Sequence, residues 1–188
     1  MAVQGVGFNT KGLHYIRLPG SRRNTKVGSV WFNLLQRCYS ESFQKDHPSY
    51  IGCKVCDDWL DFQVFAEWYT QQYKEEGWQI DKDILGGGLK EYNPEVCRLV
   101  PPDINKLLVV QKGTKHKLPL GVVHNKSKFS ASIRKKGKRV HLGTYGSQEE
   151  AHRIYLEEKQ HHVREVAEDY RSKLDPDIYL RLSQYTTH

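Results

Sequence analysis

The run L-P-L-G-V-V-H-N-K-S-K-F-S-A-S-I-R-K-K-G-K-R-V-H-L-G-T-Y-G-S-Q-E-E-A-H-R-I-Y, Leu118 to Tyr155, decides the fold of the second half of this chain. It holds three short strand-like segments, Leu120 to His124, Lys128 to Arg134 and Arg139 to Leu142. Lys135-Lys136-Gly137-Lys138 joins the last two, with Gly where a tight hairpin needs one. Phe129, Ala131 and Ile133 alternate with Lys128, Ser130, Ser132 and Arg134, and Val140 and Leu142 alternate with Arg139 and His141. At period two this gives one apolar face and one basic, polar face. Ser147, followed by Glu149 and Glu150, reads as a helix N-cap with acids in the first turn. Ala151, Ile154, Tyr155 and Val163 give that helix a stripe to lay on the apolar face of the sheet.

Charge in this region is segregated. From Ile104 to Gln148 there is no Asp or Glu, while Lys112, Lys115, Lys117, Lys126, Lys128, Arg134, Lys135, Lys136, Lys138 and Arg139 are cationic. A small sheet backed by a helix, with its other face basic, has the shape of an element that enters a DNA major groove. The competing reading is a solvated hairpin with a lysine-rich turn.

The strings G-V, K-F-S-A-S-I-R, G-K-R-V-H-L-G-T-Y and E-E-A resemble the Apetala-type (ethylene-response-factor) DNA-binding domain, which also occurs in phage and mobile-element nucleases. The resemblance spans Leu118 to about Gln160. It implies that outward residues of the three strands read bases and phosphates: Val123 and Asn125, then Lys128, Ser130, Ser132 and Arg134, then Arg139 and His141. Lys126, Lys136 and Lys138 in the turns join this expected DNA-binding set. Val123 and Asn125 stand where plant members carry arginines, and Phe129 where they carry tryptophan. The docking mode therefore transfers better than the base preference.

Working outward, 188 residues suit one large or two small domains, and a net charge of +7 suits a polyanionic partner. No apolar run approaches the roughly 20 residues of a membrane span, and the N-terminus has no signal-peptide profile. The expectation is a cytoplasmic protein without membrane contact, in which Cys38, Cys53, Cys56 and Cys97 are thiols or metal ligands rather than disulfides.

Residues 1–29 read as an N-terminal arm whose basic part, Ser21-Arg22-Arg23-Asn24-Thr25-Lys26, is a solvated loop or a phosphate contact. Val30 to Tyr39 and Trp59 to Tyr73 read as helices, the second with Phe62, Phe65, Ala66 and Tyr69 as a core stripe. A strand over Ile80-Asp81-Lys82-Asp83-Ile84, a triple-glycine loop, a strand over Cys97 to Val100 and a short helix over Asp103 to Leu108 follow. With metal-binding groups, that is the layout of a ββα-metal nuclease centre.

The strings R-C-Y, C-x-x-C-D-D-W, I-D-K-D-I-L, Y-N-P-E-V-C-R-L-V-P and I-N-K-L-L resemble a phage-borne group of HNH endonucleases, many of which end in an Apetala-type domain. The resemblance spans about Trp31 to Leu108 and implies a homing-endonuclease-like scaffold. An HNH centre needs a His as general base, a metal ion and an orienting Asn. Lys82 stands where the His is expected, Leu89 follows Gly88 where Asn is usual, and Val96 precedes Cys97 where Asn-Cys is common. A lysine ammonium is a poor base at neutral pH. Asp81 and Asp83 remain candidate Mg²⁺ ligands, with Asn93, Glu95 or His47 as substitutes for the missing function. The alternative is a surface ion-pair cluster on a retained scaffold. Cys53-x-x-Cys56 with Cys38 and Cys97 is a candidate structural zinc set, and ordinary buried thiols are the other reading.

Gln148 to Lys173 continues as a long helical pattern with Val163, Val166, Ala167 and Tyr170 on one stripe, and Ile178 to Leu182 suggests a last short helix. This tail docks on the protein or supplies a homodimer contact. Adjacent His161 and His162 point to different helix faces.

The sequence thus reads as α+β. An arm (1–29) precedes a degenerate HNH-like domain of ββα-metal type with flanking helices (30–110). A basic linker (111–117) leads to a three-stranded antiparallel sheet packed on one helix (118–160), then to a helical extension (161–188). The expected function is a sequence-specific double-stranded DNA binder of phage or mobile-element origin, acting as a transcriptional repressor and needing no cofactor to bind. The alternative is an active HNH-type endonuclease using Mg²⁺.

Overall fold

The computed structural model describes residues 2–72, 75–108 and 118–187. The chain is mixed α+β and divides into two compact units, Met1–Val100 and Pro101–His188. The stretch read as a basic linker, with Lys112, Lys115 and Lys117, lies outside the described residues, as does Tyr73.

In the first unit, helix α1 (Lys26–Tyr39) starts where the Thr25 hydroxyl accepts the Gly28 N–H at 3.0 Å. Its stripe Trp31, Leu34, Leu35 and Cys38 follows the helical i, i+3, i+4, i+7 spacing and is buried. The next helix, α2 (Glu41–Asp46), is capped by Ser40, and β1 (Lys54–Val55) follows a short 3₁₀ turn. A further 3₁₀ turn over Asp57–Leu60 occupies the start of the helix expected from Trp59. Helix α3 (Phe62–Gln71) begins later because Asp61 caps it, accepting the Gln63 N–H at 3.0 Å.

Phe62, Phe65, Ala66 and Tyr69 of α3 pack with the α1 stripe, Trp59, Trp78, Ile80, Tyr92 and Leu99 in one core. The buried Trp31 indole N–H donates to the Trp59 carbonyl at 2.7 Å. Fully burying a side chain such as Leu34 contributes about 1.5–3 kcal/mol, and Leu34→Ala costs about 2–5 kcal/mol. The N-terminal arm is pinned to this unit. Phe8 bridges Asp61, whose two carboxylate oxygens also accept the Thr10 N–H at 3.1 Å and the Thr10 hydroxyl at 2.6 Å.

After α3 come β2 (Gln79–Asp81), a single helical turn α4 (Asp83–Gly86), β3 (Glu91–Tyr92) and β4 (Arg98–Val100). The strand expected through Ile84 therefore stops at Asp81, and Asp83 and Ile84 are helical. β2 pairs antiparallel with β4, setting Asp81 opposite Arg98, while β3 pairs parallel with β1.

The second unit opens with α5 (Pro102–Leu107) and then builds an antiparallel sheet from β5 (Val122–Asn125), β6 (Lys128–Lys135) and β7 (Lys138–Tyr145), in that spatial order. Helix α6 (Gln148–Asp169) covers one face, its first turn fixed by Ser147 accepting the Glu150 N–H at 3.1 Å. Val122, Ala131 and Ala151 form the buried seam, flanked by Leu118, Phe129, Leu142 and Tyr145. Gly121 makes the close approach possible. Its φ is 82°, in the left-handed region, and a Cβ there would sit 2.1 Å from the Tyr155 ring of α6.

The last helix, α7 (Pro176–Ser183), is capped by Asp175 and packs back on α6. Arg164 Nη2 donates to the Tyr185 carbonyl at 3.0 Å, and the Tyr179 hydroxyl donates to Glu168 at 2.8 Å. Ile178 and Leu182 are buried within this unit, whereas Leu180 is 53 % exposed. His162 of α6 is buried and His161 exposed. Among the described residues, no helix is long and apolar enough to cross a membrane.

Candidate nucleic-acid interface

The uncovered face of the β5–β7 sheet gathers most of the polar positions that the alternation pattern picks out. Val123 pairs with Ser130, Asn125 with Lys128, Ser132 with His141 and Arg134 with Arg139, so all of these share one face. Lys126, Lys128, Arg134, Lys138, Arg139 and His141 are exposed on it or in its turns. Among the described residues, none of these five Lys and Arg side chains forms an ion pair with an acid.

The helix-covered side of the same sheet behaves differently. Lys135 bonds Glu158 at 2.6 Å and lies 3.4 Å from Glu165, both on α6. The Glu158 hydrogen bond pushes the Lys135 pKa up, and the Lys135 hydrogen bond pulls that of Glu165 down. Lys136, expected among the DNA-contacting residues, lies 3.4 Å from Asp169. It occupies the left-handed region at φ 46°, ahead of Gly137 at 79°, which is the two-residue hairpin turn expected there.

One residue escapes strict alternation. Counting by twos from Arg139 puts Thr144 on the helix side, yet a β-bulge between Ala131 and Ser132 returns it to the open face, opposite Ser130. The signal was Gly143, a glycine inside a strand, here at φ 142°. Thr144 completes a polar row across all three strands. The Asn125 amide donates to Ser130 Oγ at 3.0 Å, and Ser130 Oγ bonds Thr144 Oγ1 at 3.0 Å. In the neighbouring row Arg139 Nε donates to Ser132 Oγ at 2.9 Å. Ser130 is buried, and Asn125 and Thr144 are exposed on either side of it.

The expected metal-binding residues of the first unit are used otherwise. Asp81 is buried at the end of β2, and its Oδ1 accepts the backbone N–H of Asp83 at 3.0 Å and of Ile84 at 2.9 Å. It therefore organises the α4 turn, and burial raises its pKa despite those two bonds. Lys82 is also buried, rather than part of a surface cluster. Its ammonium bonds the exposed Asp83 carboxylate at 2.5 Å and lies 5.6 Å from the centre of the Tyr92 ring.

Asn93 repeats the turn-forming role: its Oδ1 accepts the Glu95 and Val96 N–H groups, each at 3.1 Å, and its amide donates to Glu91 at 3.0 Å. Glu91 in turn bonds Lys54 across β1 and β3 at 2.8 Å. Glu95 is exposed, and His47 packs at a tilt against Phe43 with ring centres 4.3 Å apart.

Cys38, Cys53 and Cys97 are buried and Cys56 is half-buried, all as free thiols. Burial pushes the Cys38 and Cys97 thiols up to about 12 and also raises Cys56. Among the described residues, no three His, Cys, Asp or Glu side chains are grouped to hold a metal ion.

The first unit also has an open groove of about 510 Å³, lined by Leu13, His14, Val64, Glu67, Trp68 and Pro94 among others. None of the expected site residues lines it.

No protein-family model, curated protein or solved structure matches this chain.

Proposed function

We propose that this chain is a sequence-specific double-stranded DNA-binding protein of phage or mobile-element origin, which docks the open face of its β5–β7 sheet in the major groove. On this reading it descends from a homing-endonuclease-like HNH scaffold, has lost the cleavage chemistry, and represses transcription by occupying its site. It works in the cytoplasm and needs neither Mg²⁺ nor zinc to bind.

The observation that carries the reading is the split of charge across one sheet. Lys135 and Lys136 are ion-paired with α6, whereas Lys126, Lys128, Arg134, Lys138 and Arg139 have no acidic partner among the described residues and keep their charge for an outside one. Unneutralised cations on a ribbon narrow enough for the major groove supply phosphate affinity, and the interleaved Asn, Ser, Thr and His supply base-edge contacts. The loss of cleavage rests on Lys82 standing where the HNH resemblance expects the general base, and on Asp81 Oδ1 and Asn93 Oδ1 each holding two backbone N–H groups of a turn. A homodimer would form through the C-terminal helices, where α7 offers the exposed Leu180.

The test is a gel assay on genomic fragments of the host and its mobile elements, with and without Mg²⁺ or Mn²⁺, scoring shifts and strand breaks together. A specific shift without breaks is the expected result. Site-specific nicking that is lost in Asp83→Ala would instead establish the endonuclease, and no shift on any fragment would overturn DNA binding.

A further inference from the structure

Building on the proposed DNA reading, we infer that Asn125 is the specificity-determining residue of the sheet, that it reads an adenine, and that Ser130 and Thr144 position it. A carboxamide can present a donor and an acceptor side by side, the pair that matches N7 and the N6 amino group of adenine in the major groove. A free asparagine side chain rotates and can swap its two ends, which dilutes that match.

Here one end is fixed. The Asn125 Nδ2 donates to Ser130 Oγ at 3.0 Å, so the amide end is anchored on the sheet. Ser130 cannot drift, because it is buried and its hydroxyl is tied on its other side to Thr144 at 3.0 Å. Among the described residues, nothing else bonds the Asn125 carboxamide, which keeps its Oδ1 and second N–H for a partner. It also stands at the end of β5, beside the Lys126 turn and opposite Lys128, two cations without acidic partners among the described residues that would hold the flanking phosphates.

The chemistry at this spot excludes the other bases as equal partners. Guanine offers two acceptors on its major-groove edge and calls for the paired donors of an arginine. Arg134 and Arg139, adjacent across β6 and β7, are the groups suited to that role at the far end of the same face. The sheet then reads adenine at its β5 end and purine acceptors at its hairpin end.

The test selects sites from a pool of randomised DNA duplexes with the full-length chain and repeats the selection with Asn125→Ala, Ser130→Ala and Thr144→Val. The expected wild-type site has one strongly preferred adenine, and Asn125→Ala loses that preference alone, by about 5- to 150-fold in relative affinity. Replacing that adenine by 7-deazaadenine weakens the wild type and leaves Asn125→Ala unaffected. Ser130→Ala and the exposed Thr144→Val relax the same position by several-fold while affinity for random DNA stays constant, a pattern that general loss of structure cannot produce.

A selected site whose preferences survive Asn125→Ala would overturn the inference and leave DNA binding standing. Preference intact in Thr144→Val would overturn the positioning role. A wild-type pool from which nothing is enriched would overturn the parent reading and this inference with it.

Discussion

The sheet of the second unit and the β2–β4 segment of the first unit are both short antiparallel pairings dense in charged and amide side chains, yet they use them in opposite ways. On the open sheet face, the polar groups that bond do so with one another among the described residues, as in Asn125–Ser130–Thr144 and Ser132–Arg139. Around β2, Asp81, Lys82 and Asn93 are engaged internally. Asp81 and Asn93 each hold two backbone N–H groups, and buried Lys82 is paired with Asp83. Residue type alone does not make a site; spare hydrogen-bonding capacity facing outward does.

The contrast is open to direct attack. The largest expected effect is on binding: Arg134→Ala combined with Arg139→Ala lowers DNA affinity by about 100-fold and flattens its salt dependence. The melting temperature of the double variant stays close to wild type, because exposed side chains contribute little to folding. Unchanged affinity in a gel shift would remove the sheet from the interface.

Next in size is Asp81→Ala, which should destabilise the first unit by about 1–2 kcal/mol through the loss of two turn bonds. Asp81→Asn keeps the acceptor and removes a buried charge whose ionisation burial already opposes, so it should melt near the wild-type temperature. DNA affinity should not change in either variant. Equal damage from Ala and Asn would mean that the carboxylate charge itself is needed, against the turn-forming account.

A third, smaller effect concerns the helix side of the sheet, where charge is structural. Burial lowers the His162 pKa, against the opposing pull of Glu165, with Lys135 and Lys159 also facing it. The folded form therefore binds a proton less readily than the unfolded chain, whose His titrates near 6.5. Stability from this group is full above that pH and is lost as pH falls through the depressed folded value. Thermal melts between about pH 7.5 and about pH 5 should show the decline, and His162→Phe should reduce it. An identical pH profile in His162→Phe would assign the decline to other groups.

The smallest expected effect separates two neighbouring lysines of one hairpin. Lys138→Ala should weaken DNA binding several-fold, whereas Lys136→Ala, already partnered by Asp169, should change it by no more than about twofold. Equal losses would show that the α6 acids release Lys136 on binding.

Much of the second unit was legible in the sequence. The alternation over Lys128 to Arg134, the Lys136-Gly137 turn and the Ser147 cap each depend on residues within a few positions, and each is found at its expected place. The first unit was read less completely. β1 and β3 are two residues long and carry no periodicity, and the strand through Ile84 gave way to a helical turn because Asp81 captures the next backbone amides. Of the candidate site, Thr144 was missed because the bulge at Ala131 and Ser132 inverts the alternation beyond Leu142.

The sequence by itself determined the local matters: which segments are strands and helices in the second unit, which face of each strand is polar, and that cations crowd one region. Those follow from backbone geometry and neighbouring side chains. Tertiary structure decided which of the cations remain available, since Lys135 is neutralised by Glu158 and Glu165 of a helix 23 and 30 positions along the chain. It likewise decided that Ser130 links Asn125 to Thr144 and that Asp81 is turned inward to the backbone. Partners drawn from distant elements are fixed only when those elements pack, so no pattern within one segment can announce them.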